Sequence, residues 1–264
     1  MEREEKLMKS NKWKFLLTGA ATLTLLTACT QASSQSATKS NTAQTTATST
    51  SKNKTNNSNY FTDKDKDSSY DESKSSTVKL SGSSASVSGD GVAVSGSTVT
   101  ISKAGTYVIS GESDGIQIKV EAGDSDDVHI VLKGVTMTNT NAPISATKAG
   151  HVYLTLADGT TNTLSDSSSN NDEDADAVIS SKGDLTINGS GALNIDAKKN
   201  NGIKANDTLH ITGGTYKITA VGDAFNVNDE LNITGTTMTI DADEDAVKVD
   251  NDEDTSVGTM YLSD

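Results

Sequence analysis

Leu185-Thr186-Ile187, Leu209-His210-Ile211 and Leu231-Asn232-Ile233 are three versions of one short strand, displaced by 24 and then 22 residues. The register holds beyond them. Ile195, Ile218 and Ile240 recur at intervals of 23 and 22, and Ile203, Phe225 and Val247 at 22 and 22, with Ala205, Val227 and Val249 keeping the same step. Each copy therefore carries three short strands, and their apolar and polar residues alternate with the period of a half-buried β-strand. A unit of this size has no core of its own, whereas stacked copies set like residues above one another and share one. The pattern predicts an all-β chain folded as a parallel β-helix of about 22 residues per coil, with adjacent coils about 4.8 Å apart. A β-sandwich would show the same alternation without the repeated columns.

Upstream, Val99-Thr100-Ile101, Ile116-Gln117-Ile118-Lys119-Val120 and Val128-His129-Ile130-Val131-Leu132 continue the strand pattern. Val152-Tyr153-Leu154-Thr155-Leu156 opens a further coil, and a long excursion from Asp158 to Asp176 is expected before Ala177-Val178-Ile179 rejoins the stack. The chain stops at Met260-Tyr261-Leu262-Ser263-Asp264 as another coil begins, so a domain truncated at its C-terminus is expected. A monomer is expected unless the open strand edge there self-associates.

The β-helix is assigned to residues 77–264. Residues 29–76 read as a tether: between 30 and 76, 29 of 47 residues are Ser, Thr, Asn or Gln and none is Val, Leu, Ile or Met, too little apolar area to offset chain entropy. Tyr60, Phe61 and Tyr70 are expected to be solvated within it. Residues 1–28 read as a signal peptide, with Arg3, Lys6, Lys9, Lys12 and Lys14 ahead of an apolar run from Phe15 to Ala28 that is too short to span a membrane. Its end, Leu26-Thr27-Ala28-Cys29, resembles the lipobox of bacterial lipoproteins. That resemblance implies cleavage before Cys29, acylation of Cys29, and an extracytoplasmic protein held at the bacterial cell membrane.

Residues 77–264 carry 28 acids against 11 lysines, a net charge of −17, while residues 1–76 carry 8 acids against 11 bases. So acidic a domain repels phosphate backbones, and nucleic acid is excluded as a partner. The single cysteine allows no internal disulfide or thiolate metal site, so any metal must be bound through oxygen. No nucleotide-binding glycine motif occurs, and His129, His151 and His210 read as exposed strand residues with no nucleophile beside them.

One turn recurs as Asn201-Gly202-Ile203, Asp223-Ala224-Phe225 and Asp245-Ala246-Val247, with Asp176-Ala177-Val178 as an earlier member. An Asn/Asp column along one edge of a stack places carboxylates about 5 Å apart, which favours a compensating cation. Calcium takes six to eight oxygen ligands, and acidic turns supply them. Asp176, Asp223, Asp243, Glu244, Asp245 and Asp250 are the candidate Ca²⁺ ligands. The same residues are also explained by turns that tolerate Asn and Asp in left-handed conformations.

Residues from about 77 onward resemble a calcium-binding, carbohydrate-binding β-helix family typified by a clostridial polygalacturonate-binding protein. The resemblance rests on Ala157-Asp158-Gly159-Thr160-Thr161-Asn162-Thr163-Leu164, Gly183-Asp184-Leu185-Thr186-Ile187-Asn188-Gly189-Ser190-Gly191 and Asp250-Asn251-Asp252-Glu253-Asp254. It implies a right-handed parallel β-helix, bound Ca²⁺ and affinity for acidic polysaccharide; Lys204, Asn226 and Lys248 are the candidate saccharide contacts. Such a ligand suits a domain with few aromatics, because a uronate needs no aromatic platform and bridging Ca²⁺ offsets the like charge. The expected function is non-catalytic binding. The alternatives are a polysaccharide lyase using Ca²⁺ and a base such as Lys204 or Lys248, and a structural adhesin or spacer without a glycan ligand.

Overall fold

Every repeat interval of the sequence is a hydrogen-bonded register of the structure. In the computed structural model, which describes residues 15–16, 60–170, 172 and 175–264, Leu185 pairs with Leu209 and Leu209 with Leu231. Ile195, Ile218 and Ile240 stack likewise, as do Ile203, Phe225 and Val247. Cys29, the signal segment apart from residues 15–16, and the tether up to residue 59 lie outside the described residues; Phe15–Leu16 pairs antiparallel with Thr239 and Ile240. Among the described residues no helix is long and apolar enough to cross a membrane.

The strands form three parallel ladders around one core, a parallel β-helix. The first contains the leading half of Asp127–Thr138, then His151–Leu156, Leu185–Gly189, Thr208–Thr212, Glu230–Thr234 and Thr259–Ser263. The second takes the trailing half of Asp127–Thr138, then Thr161–Ser165, Ala192–Ala197, Thr215–Ala220 and Thr237–Ala242. The third holds Gln117–Glu121, Ile144–Lys148, Ala177–Ser181, Asn201–Ala205, Phe225–Val227 and Val247–Val249. Antiparallel hairpins, Ser76–Gly82 with Ser84–Ser88 and Val92–Ser95 with Thr98–Ile101, end the stack at its first coil.

Inward positions are filled by columns of aliphatic residues, including the fully buried Ile130, Leu154, Ile187 and Ile211. Asn162 interrupts one column and is itself fully buried; its Oδ1 accepts from the Val135 amide at 3.0 Å and its Nδ2 donates to the Ala192 carbonyl at 3.2 Å. A buried amide is tolerated there because both of its ends are bonded. At the corner between the first and second ladders, Gly189 has φ +95°, and a Cβ there would lie 2.3 Å from the Leu156 carbonyl oxygen of the neighbouring coil. Only glycine fits that approach.

Three expectations are corrected. The excursion expected from Asp158 to Asp176 begins later: Thr161–Ser165 is a regular strand of the second ladder with Leu164 paired to Ile195, so the departure starts after Ser165. The tether also does not run free up to residue 76. Residues 60–75 form a strap that crosses the outer face of the first ladder from the last coil back to the first. Tyr60 stacks on Tyr261 at 3.8 Å, Phe61 is buried, and Asp65 bonds to Thr186. Tyr70 packs against the outward-facing Val108, Val131 and Ala157. Composition failed here because the strap adds little to the core and is held by polar contacts with distant strands. For the same reason the three histidines are only partly exposed, with His129 against Thr155 at 2.8 Å and His151 against Thr186 at 2.9 Å.

Candidate functional site

On the third ladder the outward positions opposite the apolar columns are Ser180, Lys204, Asn226 and Lys248, in register on successive coils. Sheet spacing sets them about 4.8 Å apart in a line along the stack. Lys204 is half-buried and donates to Asp176 Oδ1 at 2.8 Å, whose other oxygen accepts from Asn200 at 3.0 Å. Lys248 Nζ lies 3.7 Å from Asp250.

The turn that follows this ladder repeats as well. Asn206, Asn228 and Asp250 each donate their amide to the preceding coil, at the carbonyls of Ser181, Ala205 and Val227. Column and turn together wall a polar groove of about 750 Å³, whose lining includes Lys182, Lys204, Asn226, Asn228, Lys248 and Asp250. No aromatic residue lines it. Asp207 and Asp229, on adjacent coils, are also among its lining. Burial pushes the Asp207 carboxyl up, and the neighbouring charges of Asp184 and Asp229 push it the same way. Asn251 donates to Asp229 at 2.6 Å, and its own Oδ1 accepts from the amides of Glu253 and Asp254, which orders the acidic stretch that follows.

The six expected Ca²⁺ ligands are divided between two places. Asp176, Asp223, Asp243, Glu244 and Asp245 lie at the turn before the third ladder, and Asp250 lies beyond the strand Val247–Val249, at the opposite turn. Asp223 is 3% exposed and already satisfied: Oδ1 accepts from the Asp245 amide at 3.0 Å and Oδ2 from Asn226 at 2.7 Å. Asn201 does the same one coil earlier, accepting from the Asp223 amide at 3.1 Å. The recurring Asn/Asp is therefore a stack of side-chain caps on backbone amides, and Asp243, Glu244 and Asp245 are exposed beside it. Among the described residues no three His, Cys, Asp or Glu side chains are gathered as a metal site. The three expected saccharide contacts are brought together in the groove. Lys182, Asn206, Asn228 and Asp229 join them there, and their signal in the sequence is their register, one or two residues past the Ala205, Val227 and Val249 column.

A protein-family model described as carbohydrate-binding domain-containing protein matches residues 95–264. The chain belongs to that family. This carbohydrate-binding domain protein is also 39% identical over 126 residues to a carbohydrate-binding domain-containing protein of Acetivibrio thermocellus, a match covering 46% of this chain and 44% of the relative. The chain thus spans less than half the length of the curated relative it matches. Among solved structures it resembles a polysaccharide lyase-like protein from C. thermocellum, solved as a gadolinium derivative, with TM-score 0.56 and 24% identity over 72% of this chain and 97% of that one. That likeness extends to the fold. The family match covers all of the groove and most of the β-helix, whereas the strap lies outside it.

Proposed function

We propose that this carbohydrate-binding domain protein is a non-catalytic receptor for acidic polysaccharide of the polygalacturonate type, and that the groove on the third ladder is its binding surface. The observation that carries the reading is the in-register line of Lys204, Asn226 and Lys248 along a groove without aromatics. Ammonium and amide donors at a constant repeat suit a polymer of carboxylates and hydroxyls, whereas neutral sugars are commonly gripped by exposed aromatic faces.

Ca²⁺ enters as a shared ion. The groove offers hard oxygen donors, Asp207 and Asp250, and the upward push on Asp207 marks a place where added positive charge relieves repulsion. With no three acids gathered among the described residues, uronate carboxylates would complete the coordination, so ion and polymer bind together better than either alone. Acylation of Cys29 would place this surface outside the cytoplasm on a membrane tether.

Retention of the whole chain in a polygalacturonate affinity gel, with calcium and with chelator, tests the reading. Strong retention in calcium, loss in chelator and loss in a K204A/K248A double variant are expected. Retention indifferent to chelator would remove the ion, and no retention of the folded protein on any uronate polymer would remove the acidic ligand. The lyase alternative needs an unprotonated base at the groove, yet Lys204 already donates to Asp176. No unsaturated product should appear in an ultraviolet assay.

A further inference from the structure

The strap is held in two different ways along its length. At Tyr70 the contact is apolar, onto Val108, Val131 and Ala157, with Glu72 accepting from Lys133 at 2.7 Å beside it. From Tyr60 to Asp67 it is chiefly polar. The Asp65 carboxylate, 1% exposed, accepts from Thr186 Oγ1 at 2.7 Å and lies 3.2 Å from His210 Nδ1. The strap's backbone carbonyls are bonded in the same manner. Thr212 donates to the Asp65 carbonyl at 2.6 Å, Asn188 to the carbonyls of Asp65 and Asp67 at 3.2 and 3.1 Å, and Asn232 to that of Tyr60 at 3.0 Å.

Thr186, Asn188, His210, Thr212 and Asn232 belong to successive coils of the first ladder and all point outward. A face meant to be covered permanently is most stable when apolar, as it is under Tyr70. This stretch instead carries hydroxyl, amide and imidazole donors that water or sugar hydroxyls can satisfy once the cover leaves. Clefts of about 210 and 250 Å³ open beside the strap, one lined by Tyr70, Lys133 and Asp158, the other by Lys64, His129 and Tyr153.

We propose that residues 60–67 are a built-in occupant of a carboxylate-binding strip on the outer face of the first ladder, with Asp65 standing where an acidic saccharide's carboxylate would bind. The choice of ligand rests on the acidic-polysaccharide reading of the groove; the strip is a separate surface. Thr186 and His210 receive the carboxylate, and Asn188, Thr212 and Asn232 receive hydroxyl or carbonyl oxygens. Phe61, edge-on to His210 with ring centroids 5.5 Å apart, is the apolar key that returns the strap to its seat. A tethered competitor acts at an effective concentration on the order of millimolar, so a polymer with many carboxylates displaces it more readily than a monosaccharide does.

Lys64 and Lys66 make the seat readable by limited trypsin digestion of the whole chain. Asp65→Ala supplies the rate of the unseated strap, and trigalacturonate well above millimolar is the probe, with galactotriose as the neutral control. The K204A/K248A variant, silent in the affinity gel, separates the strip from the groove. The proposal expects trigalacturonate, and not galactotriose, to speed cleavage at Lys64 and Lys66 by roughly tenfold or more in both the native chain and K204A/K248A. Cleavage unchanged by trigalacturonate while Asp65→Ala accelerates it would overturn the strip as a ligand site. Equal cleavage of Asp65→Ala and the native chain without ligand would overturn the seat itself. Acceleration lost in K204A/K248A would assign the effect to the groove and also overturn the proposal.

Discussion

Replacing Asp65 by alanine should open the strap while leaving the β-helix folded. The carboxylate makes two kinds of contact. Thr62 donates its amide at 2.7 Å and its hydroxyl at 2.8 Å, which caps the short helix Asp63–Lys66 within the strap. Thr186 at 2.7 Å and His210 at 3.2 Å join the strap to the first ladder. A hydrogen bond to a charged group contributes about 1.5–3 kcal/mol, so losing the Thr186 bond, together with the His210 ion pair, weakens docking by at least that much. At about 1.4 kcal/mol per tenfold, the open population rises by at least roughly one to two orders of magnitude. Hydrogen exchange should show this as faster exchange of amides 60–67, with the strands of the third ladder still protected. The pH dependence is a second signature. Burial opposes the Asp65 carboxylate, but hydrogen bonds from His210, Thr186 and Thr62 outweigh it and hold its pKa well below 3.8. Burial likewise opposes the imidazolium of His210, but Asp65 and Glu230 outweigh it and raise its pKa above 6.5. The Asp65 contribution is therefore present above about pH 4 and is lost as the pH falls toward the lowered value. The His210 contribution is present below about pH 6.5 and is lost as the pH rises through the raised value. Protection of 60–67 should peak between those limits in the native chain and lose most of that pH dependence in Asp65→Ala. Equal exchange of 60–67 in the two proteins, or loss of protection throughout the β-helix, would refute the reasoning.

Phe225→Ala removes a fully buried ring between Ile203 and Val247 and should cost about 3–5 kcal/mol in denaturant melts, with the last coils opening first because each coil contacts only its neighbours. Asp223→Ala leaves the Asp245 amide and Asn226 without their acceptor and should cost about 1–3 kcal/mol. Asp223→Asn keeps an acceptor for the Asp245 amide and should be the milder change, measurable as a higher melting temperature than the alanine variant. Gly189→Ala puts a Cβ 2.3 Å from the Leu156 carbonyl at φ +95° and should destabilise by more than about 1 kcal/mol. A melt indistinguishable from that of the native chain would contradict the close approach of those two coils.

The fold was legible because a β-helix repeats its constraints. A side chain at Leu209 faces Leu185 on one side and Leu231 on the other, so one inward position imposes the same residue class at each turn of the coil, and the interval survives small insertions. The strand at Thr161–Ser165 was hidden for the complementary reason. Its inward column holds Asn162 where its neighbours hold Val135 and Leu193, and an amide bonded at both ends carries no hydrophobic signal. The strap was illegible from composition altogether: Asp65 is held by Thr186, 121 residues away, and no local pattern encodes a partner so distant.

Within the candidate site, residues that share an outward register come together in the structure, whereas residues grouped by charge alone are divided between corners of the coil. Lys204, Asn226 and Lys248 occupy one column, so register alone brings them together. The acids were grouped by sign and proximity in sequence, but a strand as short as Val247–Val249 is enough to send Asp245 and Asp250 to different corners of the coil. A column of Asn and Asp at a β-helix corner has a use that needs no cation, since each side-chain oxygen accepts the amide of the next coil, as Asn201 and Asp223 do in succession. That role requires an oxygen acceptor and not a charge, which is why Asn and Asp alternate in it freely. Asp184 does the same elsewhere on the coil, its Oδ1 accepting from the Thr208 amide of the next coil at 3.2 Å, whereas the Asp207 carboxyl is pushed up by partial desolvation and by the charges of Asp184 and Asp229.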